Sequence, residues 1–532
     1  MDHILLQAVF IPLLLSPVAY LVGRRHGMAA VTWFSLAVLA YCTALVAIAS
    51  LDGGTEERHA WTGMFGEFGL VVDGLASPFA IMIYALSAIL AVYSRPYMEH
   101  KFAEQYREAH GEGGGAVALA EYVRAKSGTY HALYLVFAMG MLGTVLATNL
   151  IQFYVFFEVM LIPGFFLIAF WGDGPRRKIA LMFFFWTHAG AVVLLLGFLA
   201  IGLSAGTFDF AGIAAASIDA DIVLVAAVAI AIGLGVKLAA FMFHIWLPWV
   251  HGAAPTPISA LLSPVMIGIG AYGIFRLIME LLPAAFSELS VWFHVWGLVT
   301  MIYGGAMALM QDDLKRLLAY SSISQMGYLL FGLGSQSVLG LAGAEMMYVT
   351  HALGKGILFM MAGVIIVRVG TRSLSRLGGL AGRMPITATC AVIGAITIAG
   401  VPPTSGFMGE WLVFYGALET AVEEGSTLRY VTFGLGLVAT ALTMSYMLWM
   451  IKRVFFGKMP EGLAKTREAG WHMLAPMMVL AGFTVVLGIY PDIFLGQIVP
   501  YMSGVAGGGP LGPGMATELA GVGSAIAPGV GH

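Results

Sequence analysis

Apolar runs of about 20 residues recur along the whole chain, and they restrict its fold more than any other feature. Of the 532 residues, 60% are hydrophobic and only 10% are charged, whereas charged residues make up about a quarter of a soluble domain. A helix needs about 20 apolar residues to cross the hydrocarbon core of a bilayer. The sequence therefore predicts an all-α integral membrane protein.

At that length the runs predict 14 transmembrane helices. Their ranges are 4–22, 29–50, 76–97, 129–148, 150–171, 179–203, 221–249, 255–280, 288–310, 314–334, 337–367, 384–423, 430–451 and 471–499. Positive residues stay cytoplasmic in short loops, so lysine and arginine placement tests this count. With both termini on the outer side, 21 of the 26 basic residues, including Lys315, lie on the inner side, in loops or at the inner ends of spans. We therefore expect a multi-pass protein of the inner or plasma membrane.

Prolines interrupt two of the predicted spans. Pro248 lies inside span 7, and Pro402 and Pro403 lie inside span 12, before Glu410. Proline removes a helical hydrogen bond and frees carbonyl groups that lipid cannot satisfy. If spans 4–8 and 9–13 form two five-helix units, each break falls in the fourth helix of its unit. Since five is odd, the units are predicted to be inverted repeats, a pattern typical of transport sites; two unrelated proline kinks are the alternative.

These features divide the chain into four parts. Residues 1–128 hold spans 1–3 and a charged segment, 129–280 the first five-helix unit, 281–451 the second, and 452–532 a loop, span 14 and a tail. The charged segment, 98–128, is expected to be an exposed loop with helical ends. The Gly/Ala/Pro-rich tail from Ser503 is expected to be disordered or loosely draped.

Lys237 in span 7 and Glu158 in span 5 are the first candidate functional residues, and Pro163 loosens the helix one turn after Glu158. A charge near the bilayer centre costs about 3 kcal/mol, so it normally faces protein or water and indicates function. Burial disfavours the charged form of Lys237, whereas a nearby Glu158 carboxylate favours that form. The distance between the two groups would therefore set whether Lys237 holds a proton. A static buried ion pair is the alternative, although it would add little stability.

Other protonatable side chains in apolar runs extend this set. They are His188, a candidate relay, and His244, His251, His351, Lys355 and Glu410. His351 and Lys355 are four residues apart and share a helix face, and His244 and His251, seven apart, lie close to one face. A single buried histidine is as often a satisfied core residue as a proton carrier. The whole set predicts an internal proton path. Glu345 lies nearer the outer end of span 11, and there an interfacial carboxylate and a functional one are equally good interpretations.

The sequence predicts no cofactor, no metal and no nucleic-acid partner. A net charge of −3 provides no basic surface for nucleic acid. Cys42 and Cys390 lie in apolar runs without a C-x-x-C or His/Cys cluster, so neither a disulfide nor a thiolate metal site is expected. There is no Walker loop and no H-E-x-x-H motif. The N-terminus lacks a basic region, so we expect a retained first span rather than a signal peptide.

Several motifs together resemble a known family. They are the span 5 glutamate, FHIWLPWVHGAAPTPISALL after Lys237, DDLKRLLAYSSISQMGY in span 10, HALGK in span 11 and PPTSGFMGE in span 12. The chain resembles the antiporter-like proton-pumping subunits of respiratory complex I, the NADH-quinone oxidoreductase. That family also includes subunits of multisubunit cation/proton antiporters and of energy-converting hydrogenases. Glu410 resembles the M-type chain, whereas HALGK is closer to the L, N and hydrogenase types.

The resemblance implies a role for each candidate residue. Glu158 and Lys237 would form the proton-loading pair, His351 and Lys355 would belong to a central hydrophilic axis, and Glu410 would be the exit-side carrier. Redox and quinone chemistry would belong to partners, namely other membrane subunits and a peripheral redox arm. This chain would hold no cofactor and have no oxidoreductase activity by itself.

One position departs from the family pattern. Gly268 stands where the family commonly has a second lysine in span 8. We therefore expect water to fill the space of that side chain, and a lysine at 268 to be tolerated. An antiporter subunit that also moves sodium, and a structural anchor for a hydrogenase arm, are the alternative functions.

Overall fold

The computed structural model describes residues 3–51, 54–111 and 115–506, which are mostly helical. The helices of the first half are α1 (Ile4–Leu51), α2 (Ala76–His110), α3 (Ala116–Leu146), α4 (Leu150–Val159), α5 (Leu161–Trp171), α6 (Arg176–Ala205), α7 (Phe210–Ala215), α8 (Ala220–Leu238), α9 (Trp246–Ala253), α10 (Thr256–Leu261) and α11 (Gly268–Gly273). The helices of the second half are α12 (Pro283–Leu309), α13 (Leu314–Leu333), α14 (Val338–Val369), α15 (Pro385–Ile398), α16 (Ser405–Glu424), α17 (Thr427–Phe455), α18 (Trp471–Ile489) and α19 (Asp492–Ala506).

In the described part of the chain, eleven helical segments are long and apolar enough to cross a membrane. The chain is therefore a mostly helical, multi-span membrane protein, as predicted. The count of fourteen spans and the inverted repeats stay predictions. Most of the predicted tail, from residue 507 onward, lies outside the described residues, and the part before it belongs to α19.

Helix α1 folds back on itself at Gly27. This glycine has φ 84° and ψ −174°, a conformation that residues with a Cβ rarely adopt. The Tyr41 hydroxyl donates to Oε1 of Gln7 at 3.2 Å, although an unbroken helix would separate the two residues by about 50 Å. The two halves of α1 are therefore antiparallel, which agrees with the separate predicted runs 4–22 and 29–50.

A small β-hairpin lies between α1 and α2, so the all-α prediction was incomplete. Strand β1 (Thr55–Thr62) pairs antiparallel with β2 (Gly66–Val72). Along β1, half-buried and exposed residues alternate, which is the two-residue period of a strand with one face against the protein. The segment has too few apolar residues to stand out beside the long membrane runs, and it was therefore missed.

The charged segment 98–128 has the helical ends that the sequence predicts, but these ends are longer than expected and leave only a short connection between them. It is helical to His110 in α2 and again from Ala116 in α3. Part of it is also buried, because Lys101 is 9% exposed and donates to a carboxylate oxygen of Asp173 at 2.5 Å. Pairing of this kind lets a charged residue continue a membrane helix beyond the apolar run.

The interruption of span 7 lies before Pro248, not at it. Helix α8 ends directly after Lys237, and Ala239 and Met242 have φ of 59° and 78°. Pro248 is instead the third residue of α9. Amides in the first turn of a helix have no helical acceptor, so proline costs little there. The break is therefore the segment 239–245.

The other predicted interruptions are confirmed. The span 12 break lies between α15 and α16, and it contains Pro402 and Pro403. In span 5 the helix is interrupted at Met160, because Pro163 cannot donate a hydrogen bond to the carbonyl of Val159. Span 14 was predicted as continuous, but it is divided at 490–491, where Pro491 follows α18.

Candidate functional site

The carboxylate of Glu158 lies near the end of α4, and its direct partner is His188 of α6. Oε2 of Glu158 and Nδ1 of His188 are 2.9 Å apart. Oε1 of Glu158 is buried and has no hydrogen-bond partner among the described residues. The His188 side chain is 43% exposed, so this acid–imidazole pair lies at the edge of the chain and not in its core.

Lys237 is buried close to Glu158 but does not form a contact ion pair with it. The lysine is 2% exposed, and its ammonium lies 4.6 Å from the centre of the Phe157 ring. Such a position over an aromatic face is favourable for a desolvated cation. Glu158 and Lys237 remain within electrostatic reach of each other. Within the described ranges no Glu158–Lys237 contact shorter than 4 Å occurs, so the static ion pair is not present in this structure.

Side chains of neighbouring helices satisfy the open backbone of the 239–245 break. The indole N–H groups of Trp296 and Trp186 donate to the carbonyls of Phe241 and Phe243, each at 3.0 Å. The amide of Phe241 donates to the Thr300 hydroxyl at 3.1 Å. Irregular backbone at membrane depth needs such partners. The break beside Lys237 is therefore a built feature of the fold.

His244 and His251 do not share a helix face. His244 lies inside the break, before α9 begins, and its Nε2 is 3.1 Å from the Tyr303 hydroxyl. The seven-residue spacing is therefore not one helical repeat. His251, on α9, is fully buried 5.1 Å from the Phe359 ring. Neither ring nitrogen of His251 has a hydrogen-bond partner among the described residues.

Lys355 of α14 is fully buried against α13. Its ammonium donates to the Leu318 carbonyl at 3.1 Å and to the Ser321 hydroxyl. One residue further on, the hydroxyls of Ser322 and Ser263 share a hydrogen bond of 2.6 Å. Polar groups thus continue from Lys355 into 262–266, a π-helical segment, and such segments are frequent at functional sites.

His351 lies one turn before Lys355 and is also fully buried. By strict hydrogen-bond geometry neither of its ring nitrogens has a partner in the described part of the chain, although the ring lies close to the backbone of Pro264. It lies within electrostatic reach of both Lys355 and His251. The structure therefore brings His251, from α9, together with the two α14 residues that sequence spacing placed on one face.

Glu410 lies against the span 12 break. Gly400, in that break, has φ 66°, and a Cβ added to it would overlap the Glu410 carboxylate. Glu410 is 6% exposed, and its Oε1 lacks a hydrogen-bond partner among the described residues. It is within electrostatic reach of Tyr328 and Tyr446. The break thus makes room for a carboxylate inside the helix bundle.

A row of hydroxyl groups connects the HALGK helix with this break. Thr350 of α14 donates to Ser405 of α16 at 3.3 Å. Ser405 shares a hydrogen bond of 2.8 Å with Thr484 of α18, which is 3.2 Å from the Thr397 hydroxyl of α15. Sequence reasoning missed these residues, because single hydroxyls in apolar runs form no local pattern.

Lys315, at the start of predicted span 10, is fully buried. Its ammonium donates to the Ala254 carbonyl at 2.5 Å, where α9 ends. It also lies within electrostatic reach of His251. The DDLKR motif therefore places a second lysine beside the group formed by His251, His351 and Lys355.

A second buried charge cluster was also missed. Arg276 contacts Asp73 at 2.7 Å and Glu280 at 2.6 Å, and it donates to the Tyr501 hydroxyl at 2.9 Å. Glu345 is fully buried nearby, and neither carboxylate oxygen has a hydrogen-bond partner among the described residues. Neighbouring helices therefore enclose this carboxylate, and the interfacial and functional interpretations of Glu345 both stay predictions.

The space beside Gly268 contains Tyr348, which corrects the expectation of water there. A Cβ on Gly268 would lie closer than 3.0 Å to Cδ2 and Cε2 of the Tyr348 ring. That ring stacks on Phe79 with ring centres 3.9 Å apart. A lysine at 268 cannot be accommodated unless this aromatic pair moves.

Ionisable groups buried beside interrupted helices are typical of membrane proteins that move ions. Residues 147–437 match the family described as NADH:quinone oxidoreductase/Mrp antiporter, TM. The chain belongs to this family.

Named relatives agree with the M-type resemblance. NADH-quinone oxidoreductase subunit M of Rhodobacter capsulatus is 28% identical over 527 residues, covering 94% of this chain and 96% of the relative. An NAD(P)H-quinone oxidoreductase chain 4 of Nostoc is 32% identical over 410 residues, covering 76% and 71%. The fold is that of a chain in respiratory complex I from Thermus thermophilus with bound NADH, with a TM-score of 0.80 at 23% identity over 94% of this chain and 98% of that one.

Proposed function

We propose that this chain is the proton-translocating membrane subunit of a complex I-type quinone oxidoreductase that uses NADH or another donor. The observation that carries this proposal is the set of ionisable groups at least 90% buried beside or between broken helices: Lys237, His251, His351, Lys355 and Glu410. Burying so many such groups gains little stability. Their burial is explained if protons pass along them.

The proposed architecture has fourteen spans with inverted five-helix repeats. The fold-back at Gly27 supports two spans in α1. The two breaks have related surroundings, since Lys237 directly precedes one and Glu410 shortly follows the other. In this arrangement both termini face the outer side of the inner or plasma membrane.

Proton loading is assigned to Glu158, His188 and Lys237. The exposed edge of the Glu158–His188 pair suits a contact with a neighbouring membrane subunit. A proton gained or lost by this pair changes the field at Lys237, which is close but not in contact. Because the two sites are coupled through charge, a change at one changes the proton affinity of the other.

Transfer from the loading side to Glu410 is assigned to His244, His251, His351 and Lys355. Buried polar atoms nearly always have a partner, from protein or water, and neither ring nitrogen of His251 has a protein partner among the described residues. We assign water to these nitrogens. Water then links the histidines to Lys355, and the hydroxyl row from Thr350 leads toward the break beside Glu410.

Redox chemistry is assigned to partner subunits, and this chain is proposed to hold no cofactor. An antiporter subunit is the second candidate, because the matching family description also includes Mrp antiporters and Oε1 of Glu158 is free to bind a cation. A membrane anchor for a hydrogenase arm is the third. Co-purifying iron–sulfur, flavin or quinone-site subunits support the first function and nickel the third, whereas neither would appear with an antiporter.

Reconstituted complex tests the proposal. Glu158→Gln and Lys237→Ala should each lower proton pumping in proteoliposomes at least about tenfold, a cautious bound because a proton-transfer group typically contributes about 100-fold or more, while the complex still assembles. Lys178→Ala, at an exposed lysine, is the matched control and should pump normally. Pumping at the parent rate in either variant would refute the loading role.

A further inference from the structure

We propose that His3, Glu57 and His59 form a binding site for a divalent transition metal ion of the zinc class. This site is independent of the proton path. The three ligand atoms lie within 4.8 Å of one another, and this is the one group of three or more such residues in the described part of the chain. Two imidazoles and a carboxylate are a ligand set that zinc binds, with further positions open to water.

The strand geometry explains why Glu57 and His59 converge. They are alternate residues of β1, so their side chains leave the same face of the strand, and this is its half-buried face. Nε2 of His59 is 3.6 Å from Oε2 of Glu57, too far for a hydrogen bond. This nitrogen is buried and has no hydrogen-bond partner among the described residues. A metal ion between the two atoms would give this nitrogen the partner that it lacks.

His3 completes the set from the start of α1. Its ring centre is 5.1 Å from that of His59, and the ring planes are tilted by 47°. Two imidazoles bound to one tetrahedral zinc ion at about 2.0–2.1 Å would have ring centres about 5.2 Å apart. The two rings therefore already have the spacing that a shared ion requires.

The carboxylate is held in place by the helix. Glu57 accepts hydrogen bonds from the amides of Leu5, at 2.8 Å, and Leu6, at 3.1 Å. Hydrogen bonds of this kind orient metal ligands and raise affinity. An ion here would fasten the hairpin to the first turn of α1, and it would do so where both halves of the folded-back helix end.

Zinc titration of the full chain in detergent tests the site. After treatment with a chelator, the parent protein should bind one equivalent of Zn²⁺ in competition with a chromophoric chelator. Mutating a residue that only hydrogen-bonds to a metal ligand lowers metal affinity by about 10–100-fold. Loss of a direct ligand in His59→Gln or His3→Gln should therefore lower the affinity for Zn²⁺ at least about 100-fold. Glu57→Gln should act similarly, while its amide oxygen still accepts from the helix. His26→Ala, at an exposed histidine at the far end of the first half of α1, is the matched control.

A spectroscopic readout separates ligand loss from misfolding. Co²⁺ in a tetrahedral nitrogen and oxygen site gives intense visible absorption, which the parent and His26→Ala should show and the three ligand variants should lack. Zn²⁺ should also raise the Tm of the parent but not that of folded His59→Gln, since a ligand stabilises only the state that binds it. Absence of binding in the parent, or equal binding in parent and ligand variants, would overturn the proposal.

Discussion

Replacing Gly268 by alanine should destabilise the protein, although helices usually gain from this change. The new Cβ would lie closer than 3.0 Å to the Tyr348 ring. Tyr348 and Phe79 are fully buried and stacked, so neither ring can turn away without opening the core. Overpacking of this kind costs up to about 3 kcal/mol, and the helix propensity of alanine returns about 1 kcal/mol. The expected net loss is therefore about 2 kcal/mol of unfolding free energy, and a lysine at 268 should cost more.

Two buried free cysteines provide the assay. Cys42 and Cys390 should react with a thiol-sensitive dye only as the purified chain unfolds, so dye fluorescence during heating reports the Tm. Gly434→Ala is the matched control, because a Cβ there meets nothing within 4 Å. We expect Gly268→Ala to melt below the parent and Gly434→Ala to melt at or above it. Equal Tm values for the two variants would refute the packing argument, and with it the conclusion that Tyr348 occupies the lysine space.

Two further predictions concern the charged groups. In a double-mutant cycle on pumping rate, Glu158→Gln and His188→Ala should be coupled by at least about 1 kcal/mol because their atoms are in contact, and simple additivity would show that the pair does not act together. Arg276→Met should lower the unfolding free energy by about 3 kcal/mol, since it leaves Asp73 and Glu280 facing each other without their cation. The same dye assay measures this loss, and a Tm at the parent value would show that the cluster is not structurally important.

The membrane spans could be predicted because a bilayer imposes a length on every crossing helix. The position of a break could not, because Pro248 is harmless in the first turn of α9. The break is fixed instead by hydrogen bonds that Trp186 and Trp296 donate and that Thr300 accepts. These partners are more than 50 residues away along the chain. Local sequence therefore indicates that a helix is interrupted, whereas tertiary hydrogen bonds decide where.

In the candidate site, too, local sequence reveals some residues, whereas others depend on contacts between distant parts of the chain. Lys237, Lys355 and Glu410 were found because a charge in an apolar run is conspicuous. The Arg276 cluster was missed, since its partners Asp73 and Tyr501 come from distant parts of the chain and carry no local pattern. At Gly268 the sequence shows only that a side chain is missing, and it cannot show which neighbour fills the space.

The most direct test of the proposed proton path is the number of protons pumped per electron transferred in Lys355→Ala. Lys355 is fully buried and lies between His351 and the α13 groups that it contacts, and Gly268 offers no second lysine to replace it. Pumping per electron should therefore fall at least as far as in Glu410→Gln, while Lys178→Ala keeps the parent ratio and quinone reduction in uncoupled membranes persists. If Lys355→Ala pumps at the parent ratio, protons do not pass through this residue, and the buried pair on α14 only packs helices together.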